Sequence, residues 1–238
     1  MRWIYLSPHL DDAIYSCGGL IADQVKSGEH VENWTICAGD PPEEELSPLA
    51  EVLHAQWGTG RDAIAVRRKE DIAACRIVGV AHRHLSFQDA IYRRSPEGEW
   101  LYDPRTLMDN LHPADFQLVE EICEFISLLL RPDDLLLCPL SVGGHVDHRM
   151  IRAAAEKLAT PLLYYADMPY VLNQPDEPDS LAGEAQVEIS PVSREALCSW
   201  QEGIATYASQ INTFWPDLET MRKVIRKYAR SGVRLWRQ

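Results

Sequence analysis

Strands alternating with helices, short apolar runs bounded by turn residues, and acidic or histidine-rich turns at strand ends predict an α/β fold. The expected form is Rossmann-like: a doubly wound, mainly parallel sheet flanked by helices. The first run, Trp3-Ile4-Tyr5-Leu6, is β-branched or aromatic and is stopped by Pro8, so it reads as a buried strand. From Asp11 the period changes, and Ile14, Cys17, Gly18, Ile21 and Val25 fall on one helical face. Val31 to Cys37 reads as a second strand, Ala63 to Val78 as a helix, and His82 to Phe87 as a short strand. Phe116 to Leu130 reads as a helix and Asp134 to Cys138 as a buried strand. A Gly143-Gly144 loop then leads into a helix through Ala153, Ala154, Ala155 and Leu158, and Leu162 to Tyr165 reads as another strand. Residues 1–238 form a single domain in this reading, ending in a basic helical segment at about 216–238. Three stretches read as loops: Asp40 to Ser47 with Pro41-Pro42 and three glutamates, Arg94 to Pro113, and Asn173 to Gly183. Loops of that length near the switch point of an α/β sheet commonly wall a substrate pocket.

Two polar clusters occupy equivalent places. Ser7-Pro8-His9-Leu10-Asp11-Asp12 follows the first strand, and His145-Val146-Asp147-His148 follows the strand at Asp134 to Cys138. Ligands of open α/β sheets bind at the carboxyl ends of strands, so the clusters could meet in space. Neutral imidazoles and a carboxylate can supply three ligands to zinc and leave a position for water, as catalytic zinc requires. His145 and His148 are three apart and project together from a helix start. Asp11 and Asp12 point differently at a strand-to-helix turn, so one could bind metal while the other handles the proton of water. Each residue alone has a simpler reading, since Asp is a common helix N-cap. The two clusters together favour a metal site.

Composition narrows the classes. The chain carries 23 basic and 36 acidic residues, a net charge of −13, which gives no basic field for a phosphate backbone and excludes nucleic acid as the expected partner. No 18-residue apolar run exists, so no membrane span is expected. The amino terminus enters a strand directly, without a signal-peptide pattern. The cysteines at 17, 37, 75, 123, 138 and 198 lack Cys-x-x-Cys spacing and read as buried reduced thiols, the usage of a cytoplasmic protein. The basic groups Arg222-Lys223, Arg226-Lys227, Arg230, Arg234 and Arg237 read as a solvated face. A homo-oligomer is left open.

Pro8-His9-Leu10-Asp11-Asp12-Ala13 and His145-Val146-Asp147-His148 resemble the paired motifs of the PIG-L-like N-acetylglucosamine deacetylases, Pro-His-Pro-Asp-Asp-Glu and His-Pro-Asp-His, in the same order and context. Gly18-Gly19, Arg67-Arg68-Lys69-Glu70, Phe87-Gln88-Asp89 and Tyr207-Ala208-Ser209-Gln210 are weaker marks of the same family, and the resemblance spans roughly residues 1–215. It implies a zinc-dependent amidohydrolase that removes the N-acetyl group from an N-acetylglucosamine-type amino sugar in a small conjugate. It also implies one zinc held by His9, Asp12 and His148, with Asp11 as general base. Protonated His145 would stabilise the oxyanion, Asp147 would orient His145, and Arg67 and Asp89 would line the sugar pocket. Leu10 and Val146 replace prolines without removing a ligand. Ala13 replaces an acidic residue, and Gly143-Gly144 stands where some members carry a mobile tyrosine, for which Tyr92 or Tyr170 are substitutes to consider.

Competing readings are a metal-dependent ester or phosphoester hydrolase and a non-catalytic sugar-binding module. A dinucleotide site is disfavoured, because Gly-x-Gly-x-x-Gly is absent after the first strand and Asp11-Asp12 would repel a pyrophosphate. His82 and His84 read as structural, and Arg67 and Glu70 as an intrahelical ion pair worth a few tenths of a kcal/mol. Trp57, Trp100, Trp200 and Trp215 are candidates for stacking on a sugar, although most of the seven tryptophans should be core.

Overall fold

The computed structural model describes residues 1–43 and 45–237. Glu44, one of the three glutamates of the first loop, and Gln238, the end of the expected helix, lie outside the described residues. Strand β1 (Arg2–Ser7) runs into helix α1 (Asp12–Lys26), which returns to β2 (His30–Thr35). Helices α2 (Pro48–Trp57) and α3 (Ala63–Val78) precede β3 (Ala81–His84). Helix α4 (Phe116–Leu129) leads to β4 (Asp134–Pro139), and α5 (Val146–Glu156) to β5 (Leu162–Tyr165). The remainder comprises α6 (Glu177–Ala182), β6 (Gln186–Ser190), α7 (Arg194–Ala205), α8 (Ala208–Phe214), α9 (Leu218–Ala229) and β7 (Val233–Arg237).

These strands form one sheet in the order β3-β2-β1-β4-β5-β7-β6, with the first five parallel and β7 and β6 antiparallel to their neighbours. The order reverses between β1 and β4, so the α/β fold expected from the sequence has its switch point where the two polar clusters emerge. Helices α1, α3 and α7 pack together, and α4 packs on α5. At the amino ends of β1 and β4, Arg2 and Asp134 are cross-strand partners joined at 2.6 Å, and Arg2 also bonds Glu32 at 2.9 Å.

The carboxyl-terminal segment departs from the expected helix. Helix α9 stops at Ala229, Gly232 takes a left-handed φ of 77°, and Val233–Arg237 becomes β7, inserted between β5 and β6. Val233 and Leu235 are buried while Arg234 and Arg237 are more exposed. The segment is a strand because it pairs with both β5 and β6, and the spacing of its basic residues hid this in the sequence. Helix α2 follows the first expected loop directly: Ser47 accepts the Ala50 N–H as its cap, Pro48 opens the helix and Gly58 closes it with φ 66°. The Asn173 to Gly183 loop contains the short α6. Cys198 is exposed and Cys123 half-buried, whereas the other four cysteines are buried. Among the described residues no helix is long and apolar enough to cross a membrane.

Candidate active site

The turn after β1 frees both carboxylates of Asp11 and Asp12 from helix capping. Ser7 Oγ accepts the Ala13 N–H at 3.0 Å, and Asp12 Oδ2 accepts the His9 N–H at 2.7 Å. Asp11 makes no cap hydrogen bond with its side chain. After β4, Ser141, Gly143 and Gly144 all take positive φ, and His145 then caps α5, its Nδ1 accepting the Asp147 N–H at 3.2 Å. A Cβ on Gly143 would stand 2.8 Å from the Tyr170 ring, so this tight turn demands glycine on two counts.

The two clusters meet. Asp12 Oδ2 lies 3.2 Å from His9 Nδ1 and 3.4 Å from His148 Nε2, and the latter nitrogen is buried without a hydrogen-bond partner. The far nitrogens of both rings are held by carboxylates: His9 Nε2 lies 2.8 Å from Asp147 Oδ2, and His148 Nδ1 lies 2.5 Å from Asp167 Oδ1. This is the arrangement of metal-binding histidines, in which an outer carboxylate fixes the tautomer and raises ring basicity. His9, His145 and His148 also form a triple of converging nitrogens.

Charge supports the same reading. Burial opposes a charge on His9, but Asp89, Asp12 and Asp147 outweigh it and raise its pKa well above the imidazole range. Burial likewise opposes charge on His148, yet Asp12 and Asp167 raise it to about 10. Burial would raise Asp12, but His148 and His9 hold its carboxyl well below the usual range. The cavity therefore demands positive charge, which a divalent ion replacing two ring protons would satisfy. These donors fit zinc.

Asp11 stands apart from Asp12. Burial pushes its pKa up to about 6 despite Arg67, whose Nη2 lies 3.3 Å from Asp11 Oδ2. His145 is driven the other way: burial, with His9 nearby, lowers its pKa well below the imidazole range. Because Nδ1 accepts a backbone N–H, the neutral ring carries its proton on Nε2. This geometry corrects the expectation that the Asp147 carboxylate orients His145. The backbone N–H of Asp147 orients His145, while its carboxylate serves His9, Arg93 Nη1 and the Ala90 N–H.

His9, Asp11, Asp12, Arg67, Asp89 and His145 all line one cavity of about 110 Å³, with Asp147 and His148 packed directly behind them. Asp89 caps the short 3-10 turn Ala90–Tyr92 through the Ile91 N–H, its other oxygen 3.7 Å from His9 Nε2. Trp57 and Phe214 stand on the wall, and the Arg67 guanidinium lies 4.7 Å from the centre of the Trp57 ring. Trp200 and Trp215 are core, Trp200 donating to the Ile14 carbonyl at 2.7 Å. Of the two tyrosines considered, Tyr170 lines the cavity, edge-on to His148, whereas Tyr92 is buried against His54. Arg67 does not pair with Glu70, which instead accepts from Ser209 N and Oγ and so anchors α8. His84 bonds Asp71 at 2.7 Å, a structural role, and Tyr207 donates to the same carboxylate. Asp167 and Arg93 went unread in the sequence. Asp167 carried one signal, an acidic residue just past the carboxyl end of a strand.

Residues 4–159 match the PIG-L model, described as GlcNAc-PI de-N-acetylase. The chain belongs to the PIG-L family. This PIG-L chain is 31% identical over 252 residues to 2'-N-acetylparomamine deacetylase of Streptomyces fradiae, covering 99% of the chain and 81% of that protein. It superposes with TM-score 0.83 and 30% identity on a deacetylase of the teicoplanin biosynthesis pathway, covering 99% and 97% of the two chains. A zinc-inhibited form of a teicoplanin deacetylase gives TM-score 0.82 at 29% identity, covering 99% and 97%. The PIG-L chain described here is accordingly a deacetylase.

Proposed function

We propose that this pocket removes the N-acetyl group from an amino sugar in a small conjugate, with one zinc ion per chain held by His9, Asp12 and His148. The observation that carries the ligand set is the approach of His9 Nδ1 and His148 Nε2 to the same Asp12 oxygen, each ring backed by its own carboxylate. The named deacetylases similar to this chain act on 2'-N-acetylparomamine and in teicoplanin biosynthesis, which supports an acetamido sugar as substrate. Zinc, when bound, supplies a Lewis acid that polarises a carbonyl and makes water acidic enough to attack near neutrality, its pKa falling to about 7.

The chain's own residues supply the rest. Asp11, held by Arg67, takes one proton from the attacking water and returns it to the departing nitrogen, so amide and water become amine and acetic acid. The Nε2–H of His145 points its donor at the carbonyl oxygen as that oxygen gains charge. Asp89 and Arg67 face the sugar and hold its hydroxyls, while Trp57 offers a ring face to its apolar side. Asp89→Ala should therefore raise KM more than it lowers kcat. A panel of free, glycosidic and lipid-linked N-acetyl sugars, scored for acetate release, tests the reading. Release from at least one class supports it. Silence on every acetamide together with turnover of acetyl esters or phosphoesters replaces it with the ester-hydrolase reading.

A further inference from the structure

The catalytic cavity is not the only concave surface on this side of the molecule. A second hollow of about 340 Å³ is lined by Ser47, Leu49, Trp100, Leu101, Tyr102 and Thr106, among others. It shares two walls with the catalytic cavity. Helix α2 places Leu49 in the second hollow and Leu53 and Trp57 in the first, at successive i, i+4 positions of one helical face. The loop after the 3-10 turn does the same, with Thr106 in one and Leu107 in the other. Ser47 Oγ ties the two together by donating to the Ile91 carbonyl at 2.7 Å.

We propose that the second hollow is the aglycone subsite of the deacetylase, and that it takes an apolar, aromatic or aliphatic, aglycone. The proposal rests on the deacetylase reading above and adds to it the class of group attached to the sugar. Leu49, Trp100 and Leu101 are half-buried, as the walls of an open apolar groove are. The carboxylate in its lining, Asp103, is already taken: Oδ1 accepts from Arg105 N at 2.8 Å, Thr106 N at 3.0 Å and Thr106 Oγ1 at 3.1 Å, and Oδ2 faces the Arg105 guanidinium. Arg94 stands 3.6 Å from the Trp100 ring centre and is ion-paired with Glu45 at 3.2 Å, so it covers the ring without adding net charge. An apolar ring would cover Leu49 and Leu101 against Trp100.

The test compares free N-acetylglucosamine with its phenyl and naphthyl glycosides and with an aminocyclitol conjugate, in the parent enzyme and in Leu49→Asp and Trp100→Ala. The expected result is a kcat/KM for the aryl glycosides at least tenfold above that for the free sugar. Both variants should erase that gain through KM and leave turnover of the free sugar within twofold. Calorimetric binding of phenyl glucoside, which has no acetamide, gives the same comparison without turnover, and a cooperative thermal melt with the parent's circular dichroism spectrum reports that each variant is folded. Equal aryl and free-sugar values in the parent, aryl preference unchanged in both variants, or a preference for the aminocyclitol conjugate would overturn the subsite while leaving the deacetylase reading intact. Absence of acetate release from all substrates, with phenyl glucoside still bound by the parent and lost in the variants, would fault the reaction and keep the subsite.

Discussion

Asp11 and Asp12 are adjacent in the chain and opposite in surroundings. Asp12 faces two imidazoles, and Asp11 faces Arg67 within a buried wall. Asp11→Asn keeps the shape of the site and removes the proton acceptor, so it should retain metal while losing about 10²- to 10⁴-fold in kcat; turnover at the parent rate would move the base elsewhere. Asp167 acts one bond further out. Asp167→Asn should weaken metal affinity about 10- to 100-fold, read by competition with a chromophoric chelator. An unchanged affinity would detach Asp167 from the metal. His9, Asp12 and His148 were legible because each lies in a motif at a strand end. Asp167 and the true partner of Asp147 were not, since which carboxylate backs which ring depends on how β5 and the Asp89 turn come together.

At the scale of elements, Gly18-Gly19 shows how a helix face is chosen. A Cβ on Gly18 would lie 2.4 Å from Trp200 Cδ1, and one on Gly19 2.7 Å from Trp200 Cε3. The two glycines let α7 close onto α1, where Trp200 is locked by its bond to the Ile14 carbonyl. Gly18→Ala should therefore cost about 1–3 kcal/mol of overpacking, seen as a lower denaturant midpoint with little change in slope. A stability equal to that of the parent would mean that the indole moves aside freely. The parallel strands, α1 and α4 were readable because apolar period and length agree there. The last strand was not: β7 is specified by a sheet edge that only the folded β5 presents.

For the whole molecule, the ends of the sheet divide the labour of charge. The amino ends hold Arg2 between Asp134 and Glu32 as a stabilising ion cluster, and the carboxyl ends hold the site. Burial would raise the Asp134 carboxyl, but its hydrogen bonds from Arg2 and the Arg131 N–H lower it below the usual range. A carboxylate whose folded pKa is depressed adds stability above its unfolded value of about 3.9, and that stability is lost as pH falls through the folded pKa. Thermal melts should accordingly fall in the parent below about pH 4 and fall less steeply in Asp134→Asn. Parallel curves would remove Asp134 from the acid response. The central claim, a metal-dependent N-deacetylase built at the β1/β4 switch point, is tested most directly by metal-dependent acetate release. Purified chain, stripped by chelator and titrated with zinc, should regain acetate release from an N-acetylglucosaminide up to about one zinc per chain, and His148→Ala should show neither tight zinc nor activity. Full acetate release from the metal-free chain, or from His148→Ala, would contradict it.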